Sequence, residues 1–174
     1  VLHAWVCVDA HRAHLVAQAI DERTDRDDAG PLLGVPIGIK DIIDVAGLPT
    51  RAASPLRRDH VAEQDATAVA RLKAAGAIIV GKTVTTEWAC FDPPPTHNPW
   101  SLSHTPGGSS SGAVAAVAAR MCTAAIGSQT GGSLIRPAAY CGIAALKPTF
   151  GRVSRSGILP VSEHLDHVGP LANS

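Results

Sequence analysis

Residues 105–137, TPGGSSSGAVAAVAARMCTAAIGSQTGGSLIRP, constrain the fold most: a run of small residues lies between two turns that each combine paired glycines with serine. Gly107 and Gly108 precede Ser109, Ser110 and Ser111; Gly131 and Gly132 precede Ser133. Paired glycines open backbone conformations closed to other residues. Between the turns, Ala113 to Met121 holds neither glycine nor proline and is mostly alanine, which predicts a tightly packed helix. A helix followed by a strand would bring the two serine turns together. The second turn has a chemical implication. Thr130, Gly131, Gly132 and Ser133 can aim successive N–H groups into one concavity, and a tetrahedral oxyanion needs such donors fixed before reaction.

The flanking chain alternates helix and short apolar strand. HAWVCV (3–8) reads as a strand, and Asp9 can cap a helix from Ala10 to Asp21 with Leu15, Val16, Ala19 and Ile20 on its apolar side. The charged run DERTDRDDAG after it reads as a solvated loop. In LLGVPIGIKDIIDVAG, β-branched residues punctuated by Gly34, Pro36, Gly38 and Gly47 predict strand ends packed on other backbone. DATAVARLKAA (65–75) predicts a helix with Asp65 as N-cap and Gly76 beyond its end, leading into the strand AIIV. FDPPPTHNPWSLSHTP (91–106) reads as an ordered, proline-rich loop, CGIAALKP as strand-like, and GRVSRSGILPVSEHLDHVGPLANS as short apolar runs between turns. Together these predict one α/β domain over 1–174, a largely parallel central sheet flanked by helices.

Lys plus Arg equal Asp plus Glu at 15 each, so no basic field argues for nucleic acid or an acidic membrane surface; a small or neutral partner is expected. Cys7, Cys90, Cys122 and Cys141 lie far apart without a C-x-x-C pair, which reads as reduced core thiols in a cytoplasmic setting. No apolar run reaches the roughly 18 residues of a membrane span. Val1 begins with neither an initiating Met nor a basic leader, which reads as a chain clipped at its start.

Several motifs compete for the chemistry. GAIIVGKT (76–83) matches the phosphate-loop expression letter for letter, yet its four middle residues are themselves an apolar strand, whereas a phosphate cradle follows its strand. GSSSG (108–112) fits a hydrolase elbow with Ser110 as nucleophile and Glu163, His164, Asp166 and His167 downstream, but a proline-rich loop stands where the elbow's strand belongs. His11 with His14, or His164 with His167, have the spacing of metal ligands and lack completing partners, so no metal is expected. Lys40 sits in GIKDII among Ile39, Ile42 and Ile43, although lysine is almost never fully buried unpaired. Either its amine snorkels or pairs with Asp41 or Asp44, or burial lowers its pKa until it serves as a base. Serine with lysine is an established alternative to serine with histidine.

The stretches GVPIGIKD, GAIIVGKT, TPGGSSSG, GSQTGGSLIRPAAYCG, LKPTFGRVSRSG and LDHVGPLA, in this order across the chain, resemble the amidase signature family of serine hydrolases. The resemblance implies the amidase signature fold and a Ser, cis-Ser, Lys triad. Ser133 would be the nucleophile, Ser109 the bridging serine behind a cis peptide, Lys40 the base, and Thr130, Gly131 and Gly132 the oxyanion hole. It implies hydrolysis of a small-molecule amide through an acyl-serine, with neither metal nor organic cofactor. Gln129 stands where many members have aspartate, and Arg136 follows the serine by three residues, not two. This variant resembles the malonamidase-like branch, in which the arginine binds a substrate carboxylate; a bracing contact to loop carbonyls is the alternative. Two other functions stay open: a glutaminase subunit of an amidotransferase, feeding ammonia to a partner that acts on charged tRNA, and a non-catalytic fragment or scaffold. Members are more than twice this length, so the resemblance implies truncation at both ends, and exposed edges would permit a homo-oligomer.

Overall fold

The computed structural model describes residues 1–24 and 30–174. Its spine is a six-stranded sheet in the order β1-β3-β2-β4-β6-β5. The strands are β1 (Trp5–Val8), β2 (Pro36–Lys40), β3 (Ile78–Thr83), β4 (Ala124–Gln129), β5 (Ala144–Ala145) and β6 (His167–Ala172). The helices are α1 (Ala10–Asp21), α2 (Thr67–Ala74), α3 (Ser111–Ala118) and α4 (Ile135–Cys141). At the centre, β2 runs parallel to both β3 and β4. At the margins β1, β6 and β5 pair antiparallel. Parallel neighbours need crossovers, which α2 and α3 supply on either side of β3; β6 instead arrives from a long irregular segment that lays it back along β4. The sheet is therefore mixed, with its parallel part in the middle.

Two apolar clusters cover the two faces. Ile37, Ile39, Ile79, Ile126 and Val168 pack with Val69 of α2 and with Ile43, Val45 and Leu48 of the segment after β2. Ala125 and Leu171 pack against Ala113 to Val117 of α3 and Ala138 and Cys141 of α4. The alternation of Ala125 with Ile126 between clusters follows from the two-residue period of a strand. α3 lies close on the sheet because its residues are small. A Cβ on Gly112 would stand 2.1 Å from the Ala4 carbonyl oxygen and 2.3 Å from Val84 N, so only glycine fits where α3 crosses the end of β3.

Several local expectations change. Asp9 caps α1 through Arg12 N, as expected, but Leu15, Val16 and Ala19 are exposed, and the side turned inward carries Ala13, Ala17 and Ile20. The inward stripe of α1 is thus two alanines and one isoleucine. Asp65 does not cap α2: the N-cap is Ala66, and the Asp65 carboxylate accepts from Ala46 N and pairs with Lys73. The strand expected in CGIAALKP shrinks to Ala144–Ala145, while the last segment, read as runs and turns, contains β6. Cys122 and Cys141 are buried thiols, but Cys90 is exposed, so the cysteines are not uniformly core residues. Residues 25–29 of the charged run lie outside the described residues. Among the described residues, no helix is long and apolar enough to cross a membrane.

Candidate active site

The site collects where β2 and β4 end and α3 begins. Lys40, the last residue of β2, is fully buried. Its Nζ stands 2.7 Å from Ser109 Oγ and 2.8 Å from Ser128 Oγ. These two hydroxyls offer lone pairs but no charge, so burial dominates and pulls the amine's pKa down from 10.5 to about 7, against a smaller upward pull from the Asp166 carboxylate. Of the two readings of Lys40, the structure realises the buried one; Asp41, named as its ion-pair partner, turns instead to Lys82 at 3.2 Å.

Ser109 follows a cis peptide bond with Gly108, and its carbonyl accepts from Thr86 N at 3.3 Å. The neighbouring serines are held by backbone. Ser110 Oγ donates to the Ser128 carbonyl at 3.2 Å and accepts from Ser128 N at 3.4 Å, and Ser111 Oγ donates to the Gly107 carbonyl at 2.7 Å. Ser110 is fully buried and stitches α3 to β4, which argues against a nucleophile's elbow there. Glu163, His164, Asp166 and His167, its supposed partners, line a separate cavity of about 490 Å³ that also touches Ser128 and Thr130.

Ser133 lies in the turn joining β4 to α4 and is buried. Two side chains fix that turn. Gln129 Oε1 accepts from Leu134 N at 2.9 Å and Ile135 N at 3.0 Å, so its amide oxygen braces the turn. Thr130 Oγ1 donates to Asp166 Oδ1. Gly131 is exposed, with open space beside it. The two serine turns are bridged by Arg136, whose Nε and Nη2 donate to the Gly108 carbonyl at 3.2 and 2.8 Å. That is the bracing contact offered as its alternative role. Arg136 also lines a second cavity of about 450 Å³ with Gly107, Gly108, Tyr140 and Phe91.

Sequence reasoning did not single out Ser128. It becomes Lys40's second partner only through the parallel register of β2 on β4, where Ile39 faces Ile126, a relation between segments far apart in sequence. Lys82, set aside with the phosphate-loop lookalike, lies inside β3, fully buried and paired.

Comparison with known proteins adds context. The chain matches the family described as Amidase over residues 1–174. A subunit of glutamyl-tRNA(Gln) amidotransferase from Desulforapulum autotrophicum is 48% identical over 181 residues, covering 99% of this chain and 36% of that protein. The native peptide amidase of Stenotrophomonas maltophilia superposes with a TM-score of 0.91 at 40% identity, over 99% of this chain and 38% of its own. A structure of a vestigial protein complex that bears on the origins of an s-triazine catabolic enzyme gives a TM-score of 0.94 at 41% identity, over 99% and 40%. The chain thus spans well under half the length of the relatives it matches.

Proposed function

The chain belongs to the amidase family, and from that premise we propose that it carries the machinery to hydrolyse a carbon–nitrogen amide bond through an acyl-serine intermediate. The observation that carries this reading is the contact of the buried Lys40 amine with Ser109 Oγ at 2.7 Å, at a lysine whose pKa of about 7 leaves much of it neutral near physiological pH. In its neutral form the amine accepts the Ser109 proton, Ser109 takes that of Ser133, and Ser133 Oγ attacks the amide carbon. The N–H groups of Thr130, Gly131, Gly132 and Ser133 receive the oxyanion. The proton returns along the same route to the leaving nitrogen as the C–N bond breaks. Water then attacks the acyl-serine, gives its proton to the relay, and releases the acid with Ser133 restored. The sequence of steps uses no metal or organic cofactor.

Arg136, exposed beside the turn, keeps Nη1 beyond its two bonds to Gly108, and this donor suits a carboxylate on a small acid amide. A second reading, a glutamine-hydrolysing amidotransferase component that works with partner subunits, is favoured by the name of the 48% identical relative. Ammonia release from glutamine that depends on added partner subunits and charged tRNA would favour it over a free-standing amidase. The core test is intact mass after a fluorophosphonate, on the complete natural protein containing this chain. One adduct, absent in Ser133→Ala and slowed in Lys40→Ala, is expected. An adduct that survives Ser133→Ala and maps to Ser110 would overturn the assignment, and no adduct at all would return the chain to a scaffold role.

A further inference from the structure

Asp166 is the residue just before β6, whose His167 stands in register with Gln129 of β4. Its carboxylate is shared between two segments. Oδ1 accepts from the hydroxyl of Thr130, the first residue of the glycine turn, while Oδ2 accepts from Val161 N at 2.7 Å and Ser162 N at 2.9 Å. One side chain therefore closes the loop 161–166 on itself and fastens that loop to the turn that leads to Ser133. Building on the amidase reading above, we propose that Asp166 is a positioning residue of the amide-cleaving site: through Thr130 it sets the direction in which the turn's N–H groups meet the oxyanion.

The surroundings single Asp166 out. Two of the charged and titratable groups lining its cavity are otherwise engaged: Arg155 donates to the Glu163 carbonyl and lies over the Phe150 ring, and His167 donates through Nδ1 to Leu165 O and accepts at Nε2 from Lys147 Nζ. Glu163 and His164 line the same wall. Asp41, next to Lys40 in the chain, faces Lys82. Asp166 is the charged group whose field reaches the Lys40 amine, and its sign favours the protonated lysine. The same carboxylate thus bears on both halves of the chemistry, the glycine turn through its contact with the Thr130 hydroxyl and the base by its field.

Asp166→Asn separates these effects, because asparagine keeps an oxygen for Val161 N and Ser162 N and an amide group for Thr130 Oγ1 but loses the charge. The experiment measures kcat, KM and the pH dependence of fluorophosphonate labelling for the complete natural protein, Asp166→Asn, Asp166→Ala and Ser133→Ala. Asp166→Ala should lose about 10²-fold in kcat with KM little changed, the scale expected when reacting groups are misplaced by about 1 Å. Asp166→Asn should keep most of kcat while the acidic limb of its profile moves to lower pH, since removing the anion makes Lys40 easier to deprotonate. If Asp166→Asn leaves the acidic limb where it was, or if Asp166→Ala retains full kcat, the proposal is overturned. Labelling that persists in Ser133→Ala instead removes the amidase reading beneath it. Should Asp166→Ala fail to fold, Thr130→Val, which removes the hydroxyl that Asp166 holds, should show the same loss in kcat, and full kcat in that variant overturns the proposal.

Discussion

Lys40 ends β2 and Lys82 stands one register step back in the adjacent parallel β3, and both are fully buried, yet their environments differ in kind. Lys82 faces a carboxylate at 3.2 Å, the Pro49 carbonyl at 2.7 Å and Thr50 Oγ1 at 2.9 Å. Burial pushes its pKa down and that of Asp41 up, and each charge opposes the other's shift. Asp41 is further held by Arg51 N. Lys40 has two hydroxyls within 3 Å and its carboxylate influence only at longer range. Depth in the fold is the same for both. The partner decides whether a buried amine is held in an ion pair or loses its proton more easily, and the chain keeps the two apart by sending Asp41, the neighbour of Lys40 in sequence, to the other lysine.

The widest separation should appear on deleting each lysine. Lys40→Met is expected to lower the labelling rate of Ser133 by about 10²- to 10⁴-fold, the range of a positioned general base, while the protein stays folded. It should also show the sign of the burial cost. Because the folded pKa of about 7 lies below the ordinary 10.5, the unfolded chain holds a proton between those values that the native state gives up, so native stability rises with pH across that window. Chemical denaturation at several pH values should therefore favour Lys40→Met over the parent most strongly below pH 7, with the difference fading toward 10.5.

Lys82→Met tests the ion pair. It leaves the buried Asp41 carboxylate without its cation, and a loss of about 3–5 kcal/mol is expected from denaturant unfolding. Adding Asp41→Asn should recover part of that loss, and the folded fraction should still label at Ser133. Equal loss in single and double variants would show that the pair is not what Lys82 contributes. The smallest change attacks the comparison itself: Ser128→Asp places a carboxylate beside Lys40 and should make it resemble Lys82. An opposite charge at this range raises a lysine's pKa by about 1–3 units, so the acidic limb of labelling should climb by that much. An unmoved limb would mean that Lys40 is not the group that titrates.

The parts legible in sequence are those encoded locally. Asp9 before α1, the alanine run of α3 and the lone lysine of GIKDII each carry their meaning within a few residues, and the glycine–serine turns carry a family pattern. What stays hidden depends on register between distant segments. Ser128 reaches Lys40 only once β2 lies beside β4, and Asp166 reaches Thr130 only once β6 folds back along β4. Asp65 resembles a cap because it precedes a helical run, but Lys73 and Ala46 compete for its oxygens and win. Asp41 suggests itself as Lys40's partner because it is adjacent, although adjacent strand residues point to opposite faces.

The residues of α3 have a thermodynamic consequence. The helix buries Ser111 and the run from Gly112 to Val117 against the sheet and α4, and four of these seven are alanine or glycine. Alanine and glycine have no rotamers to surrender on folding, so side-chain entropy is lost only at Ser111, Val114 and Val117. A bulkier helix could have bought more apolar burial, but its heat-driven rotamer exchange would have been transmitted to Ser109 two residues upstream. Here that serine is attached to a segment with few torsions left to excite, and warming the protein should blur the contact of Ser109 with Lys40 less than it loosens α1, whose exposed Leu15 and Val16 keep their freedom.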